Sequence, residues 1–279
     1  MSNLTFIGDI HGAADDLTVL LSDPIIADSQ IIFLGDYIDG LNERKFSDHV
    51  EYSAVDPIQT LAIIRERVLE HHDIALLGNH EDFWIQTARR NDFIARTWQA
   101  NGGLATWPKL GITKKDLATI AHALNQPPLQ QYTDFLSQLP IIWQNESILA
   151  VHVGICWEND LAKQHRDDLL WIRNDYFFAD GRWRGTWHEN ELGRIIVTGH
   201  TPVQTIVGPG YGYLEMKARV HDTPRYLIDS GSRSGAYDGG IFALTLTPEG
   251  LIVQKKRVIK EKLYDGDQYL PEAEIAKRF

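Results

Sequence analysis

An α/β fold follows from three features of this 279-residue chain. Short runs rich in β-branched residues repeatedly end in glycine plus a polar residue. Stretches with helical apolar spacing separate them, and every apolar run is strand-length rather than long enough to span a membrane.

The runs occupy residues 4–7 before GDIHG, 31–34 before GDYIDG, 74–77 before GNHE, 148–151 before His152-Val153-Gly154, and 195–197 before Thr198-Gly199-His200. They read as buried strands whose carboxyl ends carry polar chemistry, the usual location in α/β sheets. Residues 13–21 and 57–70 carry helical spacing, and Asp56-Pro57 supplies a cap followed by proline at the first helical position. From about 82 to 140 the pattern turns helical and irregular, which predicts an insert beside the sheet. Later strands are expected at 227–231, 241–246 and 251–253, with Pro248-Glu249-Gly250 as a hairpin turn. The charged stretch at about 256–279 reads as a peripheral tail. A single domain over 1–279 is the expectation, since a chain of this length can bury roughly 75% of its unfolded surface.

A formal charge of −11 disfavours a broad surface for nucleic-acid polymers or anionic membranes. A small phosphate substrate is compatible with it, because a site can be locally cationic. Cys156 is the only cysteine, so an intramolecular disulfide framework and a cysteine-rich zinc site are excluded. With no basic or signal-length apolar stretch ahead of Asp9, a reducing, cytoplasmic location is expected.

The strand ends supply Asp9, His11, Asp36, Asn79, His152 and His200, a mixture of oxygen and imidazole donors that suits manganese, iron or zinc better than calcium. Asp9 and His11 are two apart, so on an extended strand both would face one ion. Taken singly, each has a plain alternative: a turn carboxylate for Asp36, a turn former for Asn79, a hydrogen-bonded core histidine for His152. Taken together, five strands would have to expose a ligand-type residue at the same end by accident.

GDIHG, GDYIDG and GNHE, followed by VHVG and GHTP, resemble in order the signature of the calcineurin-like metallophosphoesterases. The similarity is to the branch containing serine/threonine protein phosphatases, bacteriophage lambda phosphatase and bacterial diadenosine tetraphosphatases, and it spans most of residues 4–250. The resemblance implies a β-sandwich flanked by helices on both sides, in αββα layers, and a centre of two divalent cations. It assigns Asp9 and His11 to the first metal, Asp36 to a bridge, and Asn79, His152 and His200 to the second. His80 becomes the general acid and Asp39 the acceptor of its other ring proton. Such a pair of cations activates a shared water and clamps the phosphoryl oxygens during in-line attack. GHTP lacks the second histidine of the GHxH variant, which leaves the first metal with fewer protein ligands.

One departure stands out. Protein phosphatases carry an arginine directly after the second aspartate of GDYID, where this chain has Gly40. The segment Leu169-Leu170-Trp171-Ile172-Arg173 is similar to one that carries a phosphate-binding arginine in the lambda-phosphatase and tetraphosphatase group, so Arg173 is the main clamp candidate. Arg44 and Arg233 are weaker ones. The aromatics Trp157, Trp171, Trp183, Trp187 and Tyr176–Phe178 form either a rim for substrate or a local cluster under loops. The expected activity is phosphomonoester hydrolysis, including phosphoserine or phosphothreonine in proteins. The alternatives are hydrolysis of dinucleoside polyphosphates and an inactive binding scaffold. Retention of the whole charged cluster weighs against the scaffold.

Overall fold

The computed structural model describes residues 2–277. Two sheets pack face to face. The first has six strands, ordered Lys262–Asp265, Ile252–Ile259, Ile241–Leu246, Leu4–Ile7, Gln30–Phe33 and Ile74–Ala75. The second has five, ordered Ile142–Gln144, Ile148–Val151, Ile195–Thr198, Arg225–Leu227 and Leu214–Met216. Each contains a parallel core, with Leu4 paired to Gln30 and Ile32 to Ile74 in one, and Ile148 to Ile195 and Arg225 to Ile196 in the other.

Strand alternation assigns the layers. Phe6, Ile32, Leu34 and Leu244 of the first sheet meet Ile148, Ala150 and Val197 of the second in a core between the sheets. The intervening residues Ile7, Ile31 and Phe33 point outward and bury Leu17, Leu20, Leu61 and Ile64 of the helices Ala14–Leu21 and Pro57–His71. On the opposite side Leu149, Val151 and Ile196 cover Tyr176, Phe177 and Phe178. The result is four layers, αββα, as period-2 side-chain placement requires when both faces of each sheet are covered.

The stretch from Asn79 to Leu136 is helical, with an irregular π turn at Gln99–Gly103. The expected peripheral tail is corrected: Ile252–Ile259 and Lys262–Asp265 pair as the outer strands of the first sheet. Arg257 is fully buried there, its guanidinium bonded to the carbonyls of Gly210 and Asp238 and facing the Asp238 carboxylate. Its charge read as surface in the sequence, but burial is compensated by these acceptors. Residues 278–279 of that predicted tail lie outside the described residues.

The aromatic segment is held by Arg225, which is fully buried. It donates to the carbonyls of Tyr176 and His188 at 2.6 Å each and lies over the rings of Trp157 and Tyr176. Arg225→Met keeps the bulk but orphans buried carbonyls, so we expect a loss of about 2–5 kcal/mol in urea unfolding. A loss under ~1 kcal/mol would show that the segment is held by packing alone.

Candidate metal centre

The parallel strands of both sheets end at one edge, and five residues on the following turns adopt left-handed backbone: His11, Asp36, Asp39, His200 and Arg233, with φ between 48° and 70°. Such conformations cost non-glycine residues on the order of 1–3 kcal/mol each and concentrate at functional sites. They also correct one sequence expectation. The strand Leu4–Ile7 has ended before Asp9, so Asp9 and His11 do not share a strand face. They converge because the chain turns back, with the N–H groups of Ile10 and His11 both donating to the Asp36 carbonyl.

Asp36 is the hub. Its Oδ2 lies 4.0 Å from His11 Nε2 and 3.8 Å from His80 Nε2, while Oδ1 lies 3.3 Å from His152 Nε2. Asn79 Oδ1 stands 3.0 Å from His152 Nε2 and 2.8 Å from His200 Nδ1. Asp9 Oδ2 is 3.9 Å from His11 Nε2, and the Asp9 carboxylate accepts the His200 backbone N–H. Backbone carbonyls orient two of the imidazoles. His11 Nδ1 donates to Ile38 at 2.8 Å and His152 Nδ1 to Leu34 at 2.9 Å, which turns each Nε2 into the cluster.

The donors fit a pair of cations. Atoms that bind one transition metal at ~2.0–2.2 Å stand about 3 Å apart, close to the spacing around Asn79 and His152. The two oxygens of Asp36 face separate donor groups, His11 and His80 on one side, His152 and His200 on the other. The six residues expected as ligands are therefore gathered at one place.

Four buried carboxyl groups share this edge, and no arginine or lysine is ion-paired to any of them among the described residues. Burial and repulsion from Asp229 and Asp36 push Asp9 well above the usual carboxylate range. Burial and Asp36 lift Glu81 to about 7, and burial with Asp36 lifts Asp229 to about 7 against the Gly231 hydrogen bond. Burial opposes the charge of Asp36 too, yet His152 and His80 hold it well below its ordinary value. His80 Nδ1 donates to Asp39 Oδ2 at 2.8 Å. Burial lowers its pKa, but Asp36 and the Asp39 hydrogen bond outweigh that and raise it to about 9.

Sequence reasoning missed Glu81, Asp229 and Trp98. Glu81 accepts the N–H groups of Asp36, Tyr37 and Gly78, tying GNHE to GDYID. Asp229 follows the strand Arg225–Leu227 and precedes Ser230-Gly231, so it carries the same strand-then-polar pattern as the residues expected as ligands. Trp98 Nε1 donates to Asp39 Oδ2 at 2.6 Å from within the insert, a partner that no spacing in the sequence signals.

The arginines separate. Arg173 is exposed, with Nη1 3.3 Å from Thr201 Oγ1, next to His200. Arg44 is corrected: it is buried, and Nη1 donates to the carbonyls of Tyr237 and Gly239. Arg233 is corrected in part. It lines the recess shared by His11, Asp39 and His80, but its guanidinium is ion-paired to Asp15 and Asp16 and bonded to the Ala54 carbonyl. Its stem also explains Gly40. A Cβ there would stand 2.7 Å from Arg233 Cβ and 2.1 Å from the His11 carbonyl oxygen, so this backbone has no room for an arginine at 40.

Beyond Arg173 a cleft of about 870 Å³ is lined by Trp157, Trp171, Phe178, His188 and five carboxylates, Glu158, Asp167, Asp168, Asp175 and Asp180. Tyr176, Phe177 and Phe178 are buried packing, Trp157 and Trp187 are half-buried, and Trp171 and Trp183 are exposed, with Trp171 6.0 Å, ring to ring, from His200.

The model of the calcineurin-like phosphoesterase family matches residues 2–228. The chain belongs to that family and is a metal-dependent phosphoester hydrolase. A search of the curated proteins finds no match. Among solved structures, one provisionally named a diadenosine tetraphosphatase is 17% identical, with a TM-score of 0.58 over 93% of this chain and 95% of that one. A metallophosphoesterase from Sphaerobacter thermophilus is 15% identical, with a TM-score of 0.48 over 92% and 88%. A serine/threonine phosphatase from Saccharomyces cerevisiae is 13% identical, with a TM-score of 0.47 over 87% and 72%. At these identities the first likeness concerns the fold alone. No helix among the described residues is long and apolar enough to cross a membrane.

Two outcomes test the centre. Gly40→Ala should weaken metal binding and lower stability, because its methyl group displaces His11; unchanged manganese affinity by calorimetry would remove that steric constraint. In chelated protein the His80 ring should titrate near 9 and at lower pH in Asp39→Asn, where Asp36 remains to raise it, followed by NMR. The sign follows from the upward shift: the stabilisation is complete below ~6.5 and is lost as pH rises through about 9. A wild-type ring that titrates near ~6.5 contradicts the pairing.

Proposed function

We propose that the chain hydrolyses phosphomonoesters, with phosphoserine and phosphothreonine side chains of proteins as the favoured class, using two divalent cations, manganese foremost. Asp9, His11 and Asp36 would hold one ion, and Asp36, Asn79, His152 and His200 the other. The observation that carries this reading is the His80–Asp39 pair beside the Asp36 hub, with His80 Nε2 3.8 Å from Asp36 Oδ2. When bound, the cations supply Lewis acidity to the phosphoryl oxygens and activate the attacking water.

The protein's own groups do the rest. His80 presents Nε2 to the cluster while its Nδ1 is held by Asp39, so in its protonated form it is placed to donate a proton to the leaving oxygen. Asp39 holds the ring and stabilises its charge. Arg173 offers a guanidinium fork to the non-bridging oxygens. Arg173 also lines the cleft, into which the rest of the substrate would extend.

Charge favours the monoester. The five cleft carboxylates have no ion-pair partner among the described residues and would repel the chain of charges on a dinucleoside polyphosphate. A phosphorylated peptide brings only its reacting phosphate to Arg173. Side-by-side turnover of a phosphopeptide, an aryl phosphate and diadenosine tetraphosphate by manganese-loaded protein tests this. Faster tetraphosphate cleavage would reverse the substrate class, and no turnover of any ester with both ions bound would overturn the reading. Arg173→Ala should raise KM ~10-fold or more with unchanged metal content; unaltered kinetics would remove Arg173 from the site.

A further inference from the structure

We propose that Trp98, contributed by the helical insert, is a positioning residue for the general acid. Its indole N–H shares Asp39 Oδ2 with His80 and holds that carboxylate in the orientation the imidazole needs. The inference rests on the reading of His80 as proton donor.

Asp39 Oδ2 accepts from Trp98 Nε1 at 2.6 Å and from His80 Nδ1 at 2.8 Å, while Oδ1 is buried with no partner among the described residues. A carboxylate torsion is broad and roughly two-fold. One hydrogen bond to a movable ring does not define it, whereas a second donor on a rigid indole does. Trp98 is rigid in this sense: it is fully buried between Trp84, at 6.0 Å, and Trp107, at 5.6 Å and 89°.

The chain after Trp98 reinforces the contact. The π turn Gln99–Gly103 places Gly102, at φ 118°, against Asp39, where an added Cβ would stand 2.7 Å from Asp39 Cβ. Single π turns of this kind recur at functional sites. The insert therefore reaches Asp39 through both an indole donor and a close backbone approach.

A plainer account holds that a buried indole simply found an acceptor. Trp107 argues against it, because it is 2% exposed in the same cluster and its Nε1 has no partner. Satisfaction of an indole is not obligatory here. Trp98 is the one of the two that is aimed at the pair.

Leaving-group dependence separates positioning from structural support, because a proton donor matters for a poor leaving group and little for a good one. Manganese-loaded Trp98→Phe should lose ~10-fold or more in kcat on an alkyl phosphate, and under about 2-fold on 2,4-dinitrophenyl phosphate, with KM and metal content unchanged. Trp107→Phe, from the same cluster, should shift both substrates together. Equal losses on both substrates in Trp98→Phe, or the same selectivity in Trp107→Phe, would overturn the proposal.

A second readout is independent of turnover and of the folding of Trp98→Phe. In metal-free protein the Trp98 indole proton, assigned among the 8 tryptophans by NMR, should lie downfield and move upfield in Asp39→Asn. An indole proton that does not respond overturns the proposal. A wild-type enzyme that cleaves neither ester overturns the phosphoesterase reading instead, while the indole shift still decides the contact.

Discussion

The structure depends on one electrostatic constraint: Asp9, Asp36, Glu81 and Asp229 are all buried at the meeting edge of two sheets. Uncompensated, such a group of carboxylates would be strongly unfavourable. The fold answers in two ways. Backbone N–H groups solvate Glu81, and histidines surround Asp36. The remaining charge is what divalent cations would neutralise, and their binding would release protons from groups held above their ordinary range. The cluster is thus a source of repulsion in the metal-free protein that bound cations would relieve.

That constraint explains the backbone around it. Left-handed residues at His11, Asp36, Asp39 and His200 are costly singly, yet they lie on the turns that bring His11 and His200 to the Asp36 cluster and Asp39 to His80. Close backbone approach does the same work. Gly78 has Asp36 against its Cα, with a built Cβ only 2.4 Å from Asp36 N, so the GNHE and GDYID loops can be clasped by Glu81. Gly40 belongs to this set. Its bareness makes room for the His11 carbonyl and the Arg233 stem, so the departure from the protein-phosphatase pattern is a packing decision as well as a lost cation.

The proposed substrate contacts lie outside this centre. The hub is built from strand ends and short turns, whereas Arg173, Trp171 and the acidic cleft come from the irregular segment pinned by Arg225. The proposed catalytic groups thus sit on strand ends and short turns, and the proposed recognition groups on a segment bonded to one buried guanidinium. The helical insert joins the two regimes through Trp98, which touches Asp39 rather than the substrate cleft.

The sequence by itself determined the reaction class. Strand periodicity with glycine and a ligand-type residue at each run's end is a local signal, and local signals survive without coordinates; Asp9, His11, Asp36, Asn79, His152 and His200 were legible in this way, while the resemblance of the ordered motifs implied the reaction class and the role of His80. Asp229 was legible in principle, since it ends a strand by the same rule. Only the tertiary structure decided which arginine faces the site, because Arg44, Arg173 and Arg233 look alike until burial and partners are known. It also decided that residues after Lys255 complete a sheet, and that Trp98 meets Asp39 across 59 positions. Contacts so distant in sequence leave no periodicity to read, since they are set by how layers pack and not by what any single segment prefers.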